Sequence, residues 1–369
     1  MRFEIPRDAL LKPLLAISGV VEKRQTLPIL ANVLIQLENN RATFTGTDLE
    51  IQLTTDIQLE KSVDEPMELT LPARKLTDIC RNLPEGSLIT FSIEKNRTVV
   101  RSGKSRFSLT QLIPQDFPSM DSITAVTEFS MTQGKLRKLL EKTHFCMANQ
   151  DVRYYLNGML WEVSGSKLNG VATDGHRLAI STIDLPGESS SPTRQVILPR
   201  KGVVELSRLM ADEGDITISL GDAHLRVRGS DFHFTSKLVD GAYPDYDRVL
   251  PKGGTLEVRG DRNDLRQAFS RAAILSNEKY RGVRLLLSEN LLNIVANNPE
   301  QEEAQEEVTV SYTGTELEVG FNVNYILDVL NTLSSEEVVF ILSDANSSAL
   351  IQDPADQEGS SYVIMPMRL

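Results

Sequence analysis

The chain has 369 residues, 40% of them apolar and 24% charged, with a net charge of −12 at neutral pH. That length allows roughly two to four ordinary domains, each with a core of its own. Two cysteines, Cys80 and Cys146, without Cys-x-x-Cys spacing, exclude a disulfide scaffold and a zinc site, and no apolar run reaches the ~18 residues of a membrane span.

Apolar residues at helical spacing, Leu10, Leu11, Leu14 and Leu15, predict a first amphipathic helix. A Thr47-Asp48 pair follows the first strands, Pro72 opens a second helix carrying Leu76, Ile79 and Leu83, and Phe107 sits in a last strand. After a linker at 115–121 the succession returns: a helix with Leu136, Leu139 and Leu140, Thr173-Asp174, a helix opened by Pro199 with Val203, Leu206, Leu209 and Met210, then Phe234. Segments such as Ile216 to Leu220 and Leu225 to Arg228 alternate with period two, as strands do. Linkers at 243–246 and 251–254 precede a third round with Leu265, Phe269 and Ala272, Asn297-Asn298, a helix opened by Asn322 with Ile326, Leu327, Leu330 and Leu333, and Tyr362. The anchors recur every 123 to 128 residues. The expectation is an α+β chain of three repeated domains, at 1–125, 126–253 and 254–369, each with two helices on antiparallel sheet, packed edge to edge. The start, Met1 to Pro6, is too polar for a secretory signal, so the chain is expected in the cytoplasm with no membrane partner.

The acidic total hides a segregation of charge. Five of the six helical windows carry net positive charge, and the remainder of the chain is correspondingly more acidic. One basic and one acidic surface would result. Helices side by side at ~9 to 10 Å, with a diameter of ~10 to 12 Å, leave a hole of about 7 Å when six line it and about 25 Å when twelve do. A B-form duplex is on the order of 20 Å across, so two chains head to tail would encircle DNA and one would not. Suitable ends exist: a basic strand, Arg101 to Leu109, and an acidic loop, Asn298 to Glu307. Arg106, Phe107 and Leu109 are expected to meet Ile274, Leu275, Glu300, Glu302 and Glu303 of a second copy.

These features, with the stretches Thr26-Leu27-Pro28-Ile29-Leu30, Gly46-Thr47-Asp48-Leu49-Glu50, 150–158, 172–178 and 234–241, resemble the bacterial sliding clamp family, the beta subunit of the replicative DNA polymerase. The resemblance covers the whole chain. It implies a ring-shaped homodimer, put onto duplex DNA by a clamp loader, that holds DNA polymerases and repair proteins carrying a short apolar peptide. The family's DNA contacts fall on Arg24, Arg74, Gln150, Tyr154 and Tyr155, which suit backbone contact and base stacking. Sheet packing is an equal reading for the two tyrosines. The family's peptide pocket falls on Leu156, Thr173, Gly175, His176, Arg177, Leu178, Pro244, Arg248, Val249, Val363, Met365, Pro366, Met367, Arg368 and Leu369. Methionines suit a cleft that repacks around varied apolar peptides, although alternate side chains of Val363 to Met365 are expected to be buried in a last strand.

Rival functions find little support. Asp174, His176 and Ser181 lack a nucleophile elbow, and Gly103-Lys104-Ser105 fails as a phosphate loop because Thr98 stands where its first glycine belongs. The histidines at 144, 176, 224 and 233 lack metal-ligand spacing. No catalytic residue, metal or cofactor is expected. The remaining alternative is a peptide-binding scaffold that does not encircle DNA.

Overall fold

A computed structural model describes residues 2–21, 27–120, 124–186, 192–356 and 359–368. Six α-helices lie among them: α1 (Arg7–Val20), α2 (Ala73–Asn82), α3 (Gln133–Thr143), α4 (Arg200–Leu209), α5 (Arg262–Ala272) and α6 (Val323–Thr332). Pro72 and Asn322 are the N-caps of α2 and α6, and the Asn322 side chain accepts from Asn324 N. Asp261 caps α5 by accepting from Asn263 N and Asp264 N, satisfying donors that have no partner inside the helix. The leucine stripes face inward, with adjustments: Leu83, Met210 and Leu333 follow the last residues of α2, α4 and α6 instead of lying on them, and Leu11, Ile79, Leu209 and Leu327 are only half-buried. Leu10, Leu14 and Ile17 are buried in α1 while Leu15 is 41% exposed, because successive positions turn away from a stripe of period 3.6.

The chain forms two compact units, Met1–Gly134 with Val204–Leu238, and Lys135–Val203 with Val239–Leu369, and the division cuts through α3 and α4. In the first unit a four-stranded sheet runs in the order Arg2–Pro6, Leu88–Glu94, Arg97–Ser102, Ser105–Thr110. An eight-stranded sheet runs Met67–Pro72, Asn32–Glu38, Arg41–Thr47, Ile51–Gln58, Phe232–Lys237, His224–Arg228, Asp215–Leu220, Thr127–Thr132. In the second unit the eight-stranded sheet runs Arg194–Pro199, Gly158–Ser164, Lys167–Thr173, Arg177–Asp184, Ser361–Ile364, Ala349–Gln352, Glu337–Leu342, Leu256–Asp261. Its four-stranded sheet runs Glu303–Thr309, Leu291–Asn297, Gly282–Ser288, Leu317–Asn322.

Each eight-stranded sheet therefore crosses from one sequence repeat to the next. Phe234 pairs with Leu53 at one seam, and Tyr362 with Ala179 at the other. Phe234 and Tyr362 are both buried, which is why an aromatic recurs there. The periodicity did not foresee the strands that precede the first helix of each repeat, Arg2–Pro6, Thr127–Thr132 and Leu256–Asp261. They are short and run directly into a helix, so two periods overlap within one reading window.

The buried seam aromatic sets a stability expectation. Phe234→Ala should cost about 3 to 5 kcal/mol, read as a lower denaturant midpoint. A change below ~1 kcal/mol would mean that the seam does not bear the fold's stability.

Candidate functional site

The recurring Thr-Asp pairs are turn makers. In the first unit Thr47 Oγ1 donates to Ile51 O at 2.8 Å and accepts from Leu49 N, while Asp48 Oδ1 accepts from Glu50 N and Ile51 N at 2.9 and 2.8 Å. The second unit repeats every bond. Thr173 Oγ1 donates to Arg177 O at 2.6 Å and accepts from Gly175 N, and Asp174 Oδ1 accepts from His176 N and Arg177 N. Such short side chains close a turn on their own backbone. The third position is left-handed in both, φ 77° at Leu49 and 89° at Gly175, so only the second unit uses the residue for which this backbone costs little.

The strands that leave these two turns carry different side chains. In the second unit, Leu178 stands directly across from Val363, both buried, in a cluster with Leu160, Val171, Ile197 and Tyr246. Tyr155, Val249 and Leu350 pack against it, and Leu156 is buried nearby in sequence. In the first unit the same two places hold Gln52 and Thr235, and the Gln52 side-chain Oε1 accepts from Met120 N at 3.1 Å. At this step one seam is thus apolar and the other polar.

The sequence-predicted pocket residues of the second unit divide by face. His176, Pro244, Arg248 and Arg368 are exposed, Met365 is 38% exposed, and Pro366 and Met367 are half-buried. Backbone bonds fix the tail, Met365 N to His176 O at 2.9 Å and Met367 N to Gly320 O at 2.8 Å. Thr173 N donates to Tyr243 Oη at 3.0 Å, and burial pushes the Tyr243 phenol up. A cavity of about 540 Å³ opens beside Arg248 and Val249, with Leu250, Pro251 and Ser343 among its walls. Arg177 does not share this face. Its guanidinium donates to Asp174, Asp328 and Phe145 O and lies 4.5 Å from the Tyr325 ring centroid, on the opposite side of the strand from Leu178. Leu369 lies outside the described residues. Tyr243 and Tyr246 belong to this region, yet their linker signalled only a turn.

Of the residues expected to touch DNA, Arg24 lies outside the described residues. Arg74 is exposed in the first unit, where its Nη2 donates to Val21 O at 3.3 Å. In the second, Gln150 is exposed with φ 57° and Tyr154 is 58% exposed. Tyr155 is half-buried against the apolar cluster, with the two rings edge to face at 5.8 Å. Sheet packing thus describes Tyr155 and not Tyr154.

Not all helical charge is available for a ligand. Arg7 donates to Cys80 O and Arg81 O, and Arg262 to Ser335 O and Leu330 O, so both secure the C-terminal carbonyls around a neighbouring helix. Arg200 donates to Met147 O. Lys75, Arg81, Lys135 and Lys138 are exposed. The cysteines are buried, and burial pushes the Cys80 thiol up to about 12 and raises that of Cys146 as well, which removes thiolate chemistry at neutral pH.

The segments expected at a chain-to-chain contact both reach a sheet edge, with two corrections: the basic strand, Arg101 to Leu109, is a hairpin that turns at Gly103-Lys104, and the acidic loop, Asn298 to Glu307, becomes a strand from Glu303 onward. Ser105–Thr110 ends the first unit's four-stranded sheet, with Arg106 exposed and Phe107 half-buried. Leu109 is buried within its own unit. Glu303–Thr309 ends the second unit's, with Glu300, Glu302 and Glu303 exposed. Ile274 is 74% exposed and Leu275 half-buried. Arg271 holds Glu306 through two bonds of 2.8 and 2.6 Å, and that pairing keeps the Glu306 carboxyl below the usual range.

Three family models match this sequence: the N-terminal domain of the DNA polymerase III beta subunit at residues 1–121, its central domain at 130–245 and its C-terminal domain at 247–368. The beta sliding clamp of Pseudomonas aeruginosa is 56% identical over 100% of both chains. The solved sliding clamp from Pseudomonas aeruginosa bound to griselimycin is 55% identical, with a TM-score of 0.96 over 100% of both chains. The C. crescentus beta sliding clamp, with polyethylene glycol at a region assigned to beta-motif tethering, is 37% identical, with a TM-score of 0.93 over 100% of this chain and 99% of that one.

Proposed function

This chain belongs to the DNA polymerase III beta subunit family, the sliding clamps, and we propose that two copies close head to tail into a ring that encircles duplex DNA. The ring tethers DNA polymerases and repair proteins without catalysing a reaction itself. It works in the cytoplasm and is opened and loaded by a separate clamp loader.

The observation that carries this reading is the rule by which repeats join. Strand Ile51–Gln58 of the first repeat pairs with Phe232–Lys237 of the second, and Arg177–Asp184 of the second with Ser361–Ile364 of the third. The strands in the corresponding positions that remain are Glu303–Thr309 of the third repeat and Ser105–Thr110 of the first, each at a sheet edge. An open edge is a row of unpaired donors and acceptors that another strand can satisfy. These two edges carry opposite charge, so a second copy is the natural partner, and the heterologous contact closes when it is made twice. The rule also supplies a register. Thr235 faces Gln52 and Val363 faces Leu178, which sets Ser108 of one copy against Glu303 of the other.

Within such a ring, Arg24, Arg74, Gln150 and Tyr154 serve the DNA backbone and exposed bases, with Tyr155 supporting Tyr154 from the cluster. Partner peptides insert an apolar side chain at the Leu178–Val363 step, between the exposed His176, Arg248 and Met365. The polar pair Gln52–Thr235 supports one peptide site per chain rather than two. The Arg177 side chain contributes by holding the turn in place rather than by lining the site.

Encirclement is topological, so salt should weaken direct contact more than retention. Clamp loaded on closed circular DNA should stay bound through a high-salt wash that removes it from linear DNA. Equal loss from both would favour the scaffold that does not encircle DNA. For the peptide site, Leu178→Gln with Val363→Thr copies the other seam and should weaken griselimycin binding at least tenfold. Met365→Asp, at an exposed position, should do the same without touching the core. Unchanged affinity in both variants would remove the site from this seam.

A further inference from the structure

The first and third repeats are built alike around one connection but finish it differently. Each begins with a sheet-edge strand that runs into a helix N-cap, Pro6 or Asp261. In each, the loop after the repeat's fourth strand starts with the same bond, Leu59 N to Asn40 O at 2.6 Å and Val310 N to Asn290 O at 3.2 Å.

In the third repeat the loop then folds onto the edge strand. Ser311 exchanges two backbone bonds with Arg259, of 3.0 and 2.7 Å, as an antiparallel bridge. Tyr312 is buried and its hydroxyl donates to Thr315 O. The Tyr312 ring and Leu256 side chain lie so close over Gly314 that a Cβ there would meet them at 2.5 to 2.8 Å.

In the first repeat the loop 60–66 contains no aromatic residue, and a cavity of about 500 Å³ lies beside the edge strand. Phe3, Glu4, Leu59, Met67 and the 47% exposed Leu88 are among its walls. Glu4 stands two residues before the N-cap and opposite Thr90, as Arg259 stands two before its N-cap and opposite Val339. Alternation along a strand sends both backbone groups of a residue to one side, so those of Glu4 point to the open edge as those of Arg259 do. The rim carries exposed Glu60, Asp64 and Glu65 against Lys61, while Arg2 is held by Glu4 at 2.9 Å.

We propose that this groove binds an extended, basic segment of a partner protein by strand addition at Glu4. The segment lies antiparallel to Arg2–Pro6, places an aromatic side chain in the cavity as Tyr312 does in the third repeat, and directs flanking Lys or Arg toward Glu60, Asp64 and Glu65. Backbone bonds supply general affinity and the aromatic supplies selectivity. The chain's own Ser311-Tyr312 segment is the template for the occupant.

The test uses the intact protein and the synthetic peptide Lys-Val-Ser-Tyr-Thr-Lys, whose centre copies Val310 to Thr313. Amide hydrogen exchange should slow at least tenfold at Glu4 when the peptide saturates. The Tyr→Ala peptide should give no protection, and Glu60→Lys with Asp64→Lys, both exposed, should weaken binding severalfold at low salt. No protection at millimolar peptide, protection that survives the Tyr→Ala change, or protection confined to the Met365 seam would each overturn the proposal.

Discussion

An antiparallel sheet cannot leave a long, flat edge open without consequence, and this constraint organises the whole chain. The second and third repeats each end with a strand that the preceding repeat needs. Phe232–Lys237 completes the sheet begun in the first repeat, and Ser361–Ile364 completes the one begun in the second. The cores therefore follow shared sheets, which is why the compact units straddle the sequence repeats. The same constraint leaves a basic edge in one unit and an acidic edge in the other.

A shared backbone device can carry different side-chain chemistry in different copies. Thr47-Asp48 and Thr173-Asp174 close the same turn with the same set of bonds. Immediately afterwards one copy presents Gln52 and the other Leu178. Burying apolar area contributes ~25 cal/mol per Å², so the apolar step offers an incoming side chain a gain that the polar one does not. Charge is divided in the same manner. Arg7 and Arg262 are committed to backbone carbonyls, whereas Lys75, Lys135 and Lys138 remain at the surface.

Much of this was legible in the sequence because it rests on local physics. Helical stripes, helix starts at Pro72 and Asn322, and the recurrence of the Thr-Asp pairs and of a last-strand aromatic all arise from spacing and residue chemistry, whereas the turn bonds of those pairs and the seam at those strands show only in the fold. The features that escaped depend on partners distant in sequence. Nothing in Arg177 itself says that Asp328 and Tyr325 will claim its guanidinium, 151 residues away in the case of Asp328. The short strands ahead of α1, α3 and α5 merge with the helix pattern beyond them. Leu109 carries an apolar side chain on a charged strand, yet its own unit buries it, so it offers less to a second copy than Phe107 does.

The pairing of the two open edges is best tested by disulfide trapping in the double variant Ser108→Cys with Glu303→Cys. Both positions are exposed, and the native Cys80 and Cys146 are buried. Mild oxidation should give a covalent species of two chains, while a pair shifted by two residues, Ser108→Cys with Gln305→Cys, should give little, because a disulfide needs Cβ atoms about 4 Å apart. Equal trapping of both pairs, or none by the first, would contradict the register and with it the continuation of the sheet from one chain into the next.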